Sequence, residues 1–130
     1  MKYKELVKAA RKAKRYSHSP FSKYRVGAAV LSANGRIYTG CNIENSSYSL
    51  TICAERTALF KAISEGEKKF VALAISNDEK KFASPCGACR QVISDLAGEI
   101  DIILTNGKGK IKEFKTSELL PYPFTSKNLE

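Results

Sequence analysis

Phe70-Val71-Ala72-Leu73-Ala74-Ile75 is a short, unbroken apolar run. It lacks the polar-apolar alternation of a strand with one wet face, so it reads as an inner strand covered on both sides. Such a strand needs a helical layer above and below its sheet. The neighbouring segments supply both. Tyr3, Leu6, Val7, Ala10, Ala13 and Tyr16 recur at steps of three and four among Lys4, Lys8, Arg11, Lys12 and Arg15, predicting an amphipathic first helix with a basic outer face. Pro20 breaks it. Residues 26–31 and 37–39 flank Ala33-Asn34-Gly35-Arg36 and read as a hairpin. From Cys53 to about Ser64, the stripe Ala54, Ala58, Leu59, Ala62 and Ile63 predicts a second helix closed by Gly66. Residues 77–84 read as a charged loop. Pro85 opens a third helix through Cys89, Val92, Ile93 and Leu96, with a stop at Gly98. Residues 101–105 and 111–114 are the last two strands, and the stretch between them is too short for a helical crossover, so they run antiparallel. The expected fold is therefore α/β: three α/β/α layers around a mixed five-stranded sheet.

A chain of 130 residues with 43% hydrophobic content supplies one domain, expected to occupy residues 1–130, with a real core. Lys and Arg total 22 against 13 Asp and Glu, a net charge of +9 that favours solubility and attraction to anions. No apolar run approaches the roughly 20 residues needed to span a bilayer, and the first 20 residues hold no signal-peptide-like block. A cytoplasmic location away from membranes is expected. Four cysteines are too few and too scattered for a disulfide scaffold.

Three of those cysteines point to metal chemistry. Cys53-x-Glu55 and Pro85-Cys86-Gly87-Ala88-Cys89 each stand where a helix begins. A zinc site that activates water needs three protein ligands and an open position, which three thiolates from two elements provide. Glu55, two residues beyond Cys53, can reach the reacting water without ligating the metal. A zinc deaminase uses such a glutamate as general acid and base, in the more familiar version with histidine as first ligand. Three thiolates over-neutralise zinc, so helix N-termini and an arginine are expected to offset their charge. Arg56 is the first candidate for that role and Arg90 the second. Cys41 has no ligand spacing around it and reads as a small apolar residue at a strand end.

These motifs make the sequence resemble the small cytidine deaminases of nucleoside salvage, the all-cysteine, single-domain branch that forms homotetramers. The resemblance extends from the first helix to the region of Phe124. It implies the cytidine-deaminase-like fold and one zinc ion per subunit, held by Cys53, Cys86 and Cys89, with Glu55 as proton shuttle and Arg56 offsetting thiolate charge. In proteins it resembles, the stretch seen here as Phe21-Ser22-Lys23-Tyr24-Arg25-Val26-Gly27-Ala28-Ala29 precedes the first strand, and the ring at Phe21 stacks on the base. Asn42 and Glu44 match the family's ribose-binding Asn-x-Glu. The Ala54 amide and Ser84 carbonyl match groups that hold the pyrimidine edge. Tyr48 and Phe124 look like residues completing a neighbouring subunit's pocket. The implied activity is hydrolytic deamination of cytidine and 2′-deoxycytidine to uridine and 2′-deoxyuridine with release of ammonia.

Other readings compete with this one. Blasticidin deaminases share the signature and act on a modified cytosine nucleoside. A deaminase of RNA or DNA is disfavoured because the positive charge is spread over the first helix and residues 67–69, 80–81 and 108–112, with no aromatic-interleaved groove. A nucleic-acid-binding protein with a merely structural zinc would close its site with a fourth ligand, for which Cys41 and His18 are the spare candidates.

Overall fold

Alternate residues of the inner strand serve two different cores, and this alternation organises the molecule. The computed structural model describes residues 2–130. In order, the chain forms α1 (Lys4–Ala13), β1 (Val26–Ser32), β2 (Ile37–Cys41), α2 (Ala54–Ser64), β3 (Phe70–Asn77), α3 (Gly87–Leu96), β4 (Asp101–Thr105), β5 (Ile111–Lys115) and the short α4 (Thr116–Leu119). The five strands make one sheet in the order β2-β1-β3-β4-β5. Only the β3–β4 pair is parallel, and α3 lies between these strands in sequence as their crossover.

Because strand side chains alternate between faces, Ala72 and Ala74 of β3 join Ala29 of β1 and Ile103 of β4 against Tyr3, Leu6, Val7 and Ala10 of α1. Leu73 and Ile75 face the other way. There they meet Ala28, Val30, Ile102 and Leu104 beneath Ala54, Ala58, Leu59 and Ala62 of α2 and Ile93 of α3. The three-layer arrangement and the antiparallel last pair agree with the sequence reading. Small residues on the α1 side of the sheet let that helix approach closely. A Cβ at Gly27 would lie 2.2 Å from the Ala10 carbonyl oxygen, and one at Gly40 would lie 2.4 Å from the Ala58 amide nitrogen of α2.

Several boundaries differ from expectation. The first helix is α-helical only to Ala13 and finishes as a 3₁₀ turn over Lys14–Tyr16. The inner strand continues through Ser76 and Asn77, which pair with Gly27 and Val26 of β1 and are fully buried. Among the described residues, no helix is long and apolar enough to cross a membrane.

Candidate active site

Both cysteine motifs end up at helix starts on the same side of the sheet. Cys53 caps α2 with extended backbone (φ −72°, ψ 154°), and Cys86 caps α3 in nearly the same conformation (φ −66°, ψ 168°). The second helix therefore begins at Ala54, one residue later than expected, and the third at Gly87, two residues after the expected opening at Pro85, because each cysteine takes the extended N-cap position. The Cys86 sulfur accepts a hydrogen bond from the Cys89 amide at 3.5 Å, so the C-x-x-C loop is closed by one of α3's own free N–H groups. Cys53, Cys86 and Cys89 bring their sulfurs within 4.8 Å of one another. Cys53 Sγ and Cys86 Sγ lie 3.8 Å apart. Two ligands about 2.3 Å from a tetrahedral zinc stand about 3.8 Å apart, so the spacing suits that ion.

The electrostatics call for a cation as well. The neighbouring Cys89 thiol, helped by the Arg56 guanidinium 3.5 Å away, draws the Cys53 thiol well below its ordinary value. The Cys53 sulfur, together with burial, pushes Cys89 far up. Three thiols this close cannot all ionise without a positive ion among them. The residues fit zinc. Neither Cys41 nor His18 belongs to the cluster, which among the described residues contains three thiols and no fourth donor.

Glu55, in the first turn of α2, is 5% exposed. Burial is the main cause that raises its carboxyl to about 7, where a group can both take and give a proton near neutrality. It lines an inner cavity of about 210 Å³ with Cys53, Ala54, Ser84, Cys86, Asn42 and Thr51. The aromatic side chain in this lining is Tyr24. Phe21 instead lines an outer chamber with Ser22, Glu44, Tyr48 and Thr51, its ring edge-on to Tyr48 at 5.9 Å. Thr51 borders both spaces.

The polar loop is strongly constrained. Asn42 Oδ1 accepts from the Val26 amide and from Ser17 Oγ, and Asn42 Nδ2 donates to the Tyr24 carbonyl. One N–H of that amide stays free for a ligand. Glu44 accepts from the amides of Phe21 and Ser22 and from the Ser22 hydroxyl, and that hydroxyl is the first cause holding its carboxyl below the usual range. Both side chains thus fix the 17–26 segment as well as face the cavities. Arg90 does not reach the sulfurs. It braces the loop instead, donating to the Pro85 and Leu119 carbonyls and to Ser84 Oγ. Phe124 is 58% exposed, its carbonyl tied to Gln91 of α3, and it lines none of the cavity around Glu55.

Residues 1–104 match the family model for the cytidine and deoxycytidylate deaminase zinc-binding region. The chain belongs to the cytidine deaminase family. A cytidine deaminase of Sporosarcina psychrophila is 49% identical over 130 residues, covering 99% of this chain and 96% of the relative. A probable cytidine deaminase of Dictyostelium discoideum is 44% identical over 124 residues, covering 95% and 84%. The crystal structure of a cytidine deaminase from Burkholderia pseudomallei superposes with a TM-score of 0.91 at 39% identity, covering 95% of this chain and all of that one. Membership of this deaminase family accounts for the three-thiol cluster at two helix starts. The cavity lining and its hydrogen bonds also bring in two residues that the sequence reading missed, Tyr24 in the inner cavity and Asn77, which donates to the Tyr24 hydroxyl.

Proposed function

We propose that this chain is a zinc-dependent hydrolase that converts cytidine and 2′-deoxycytidine to uridine and 2′-deoxyuridine, releasing ammonia, within one catalytic unit over residues 1–130. The observation that carries the proposal is the buried carboxyl of Glu55 in a cavity lined by Cys53 and Cys86, two of three convergent thiols. Cys53, Cys86 and Cys89 would hold one zinc ion per subunit. When bound, zinc supplies a Lewis acid that makes water a nucleophile at neutral pH.

The protein's own groups do the rest. Glu55 takes a proton from water as the water oxygen bonds to C4 of the base, and delivers that proton to ring N3. It then takes the second proton from the new C4 hydroxyl and delivers it to the exocyclic amine; the C4 carbonyl forms as the C4–N bond breaks and ammonia leaves. The Ala54 amide and Ser84 carbonyl hold the pyrimidine edge. Arg56 offsets the thiolate charge through Cys53. The spare N–H of Asn42 and the remaining lone pair of Glu44 suit neutral sugar hydroxyls, and their chemistry disfavours a phosphate. Phe21 closes the outer chamber over the nucleoside.

Assembly completes the site in this proposal. Phe124, which lines none of its own chain's cavity around Glu55, and Tyr48 serve a neighbouring subunit of a homotetramer, which acts in the cytoplasm on free nucleosides. The direct test incubates the zinc-loaded protein with cytidine and follows the ultraviolet absorbance. Conversion to uridine over many turnovers is the expected result. An unchanged spectrum with full zinc occupancy would refute the reading.

A further inference from the structure

We propose that Asn77 is a positioning residue for the inner cavity, its side-chain amide pinning the Tyr24 ring and the segment leading to Ser84 in their working places. The inference rests on the deaminase reading above. Asn77 ends β3 opposite Val26, with its side chain fully buried. Its Nδ2 donates to the Tyr24 hydroxyl at 2.9 Å and to the Lys81 carbonyl at 3.0 Å. A carbonyl only accepts, so the Lys81 contact fixes which end of the amide is nitrogen. Both amide protons are thereby used.

The other end of the same side chain shows why an amide is there. Asn77 Oδ1 is buried without a hydrogen-bond partner, and such an acceptor costs stability that an apolar side chain of the same shape would not. The core does not ask for asparagine at this position; its two donors do. What they hold lies next to the chemistry. Tyr24 lines the inner cavity with Glu55 and Cys86, and on its other side lines a shallow groove with Glu79, Lys80, Lys81 and Phe82. Tyr24 thus borders both spaces. The backbone of Tyr24 is anchored by Ser22 Oγ and Asn42, while Asn77 holds the ring's far tip. The second donor fastens Lys81, three residues before Ser84, so one amide sets both the ring and the strap that carries Ala83 and Ser84 along the cavity. Lys14 Nζ in turn donates to the Asn77 carbonyl at 3.0 Å and keeps the strand end in place.

A group that shapes the binding wall, and takes no part in proton transfer, affects KM and leaves kcat nearly untouched. The experiment compares wild type, Asn77→Leu, Tyr24→Phe and the double variant, all zinc-loaded. It records zinc content, melting temperature, kcat and KM for cytidine, and the Kd of uridine by calorimetry. The expected result is a KM and a uridine Kd raised about tenfold in Asn77→Leu, the scale of a hydrogen bond's net worth, with zinc content and kcat preserved. Tyr24→Phe should shift both in the same direction and add nothing in the double variant. Unchanged KM and Kd in the single variants, a loss confined to kcat, or fully additive effects would overturn the role of Asn77. If Asn77→Leu does not fold, Tyr24→Phe alone decides, since it removes one hydroxyl and leaves the core filled. Absence of turnover in wild type would instead refute the deaminase reading, and the positioning role with it.

Discussion

In the proposed mechanism Glu55 moves protons from a buried position in the first turn of α2. An amide in its place keeps the shape and the cavity but can neither accept nor deliver the proton. Glu55→Gln should retain full zinc by atomic emission while turnover of cytidine falls about 10²–10⁴-fold, the usual scale for a general acid–base; near-normal turnover would remove it from the mechanism. Cys86→Ala leaves two thiols, and both zinc content and activity should be lost together. These positions were legible in the sequence because metal ligation restricts residue type and spacing together. Tyr24 and Asn77 were not. Tyr24 sits among residues that read equally well as a turn, and the choice between its ring and that of Phe21 depends on how Ser22, Glu44 and Asn42 fold the segment. Asn77 belongs by composition to the charged stretch Asp78-Glu79-Lys80-Lys81. The strand nevertheless runs on through it, because ladder pairing with Gly27 and Val26 uses the backbone and is indifferent to side-chain polarity.

At the level of elements, α1 is fastened to the sheet by more than its apolar stripe. Tyr3 donates to Asp101 at the start of β4, which also pairs with Lys115 of β5. Burial, and then the bond to Asp101, push the Tyr3 hydroxyl up to about 12. A folded-state value above the ordinary 10 means that the contribution to stability is complete below pH 10 and is lost as pH rises towards 12. Thermal melts at pH 7 and across pH 10–12 should therefore show wild type losing its advantage over Tyr3→Phe in that alkaline window. A constant difference would detach the hydroxyl from the effect. Sequence periodicity revealed the helix and its buried face but not this clamp, since partners 98 residues apart leave no local pattern. Gly40 is a second contact of this sort: a methyl there meets the backbone of α2 at Ala58 and Ala54. Gly40→Ala should cost about 1–3 kcal/mol by denaturant titration, the usual range for overpacking. A smaller cost would mean that α2 can move away freely.

For the molecule as a whole, the surface around the site is more apolar than an isolated domain needs. Leu50 and Phe60 are largely exposed and share one surface depression with Ile43 and Ile52, while Tyr48, Tyr122 and Phe124 are uncovered near the mouth and tail. Exposed apolar groups gathered in this way mark a contact surface. The net charge of +9 opposes self-association, so raising salt from about 20 mM to about 200 mM should strengthen a homotetramer as repulsion is screened. Sedimentation equilibrium reads that directly. Whether Phe124 works across the interface is a sharper matter, and a mixing experiment decides it. Glu55→Gln chains lack the proton shuttle but carry an intact Phe124; Phe124→Ala chains have the reverse defect. In a mixed assembly, a site built from the Glu55 of one chain and the Phe124 of another is whole. Equal parts of the two variants, exchanged through mild denaturant and refolded, should exceed the mean of their separate activities. If Phe124 instead served its own chain, or no site at all, each Phe124→Ala site would stay as impaired as before, and the mixture would give only the average.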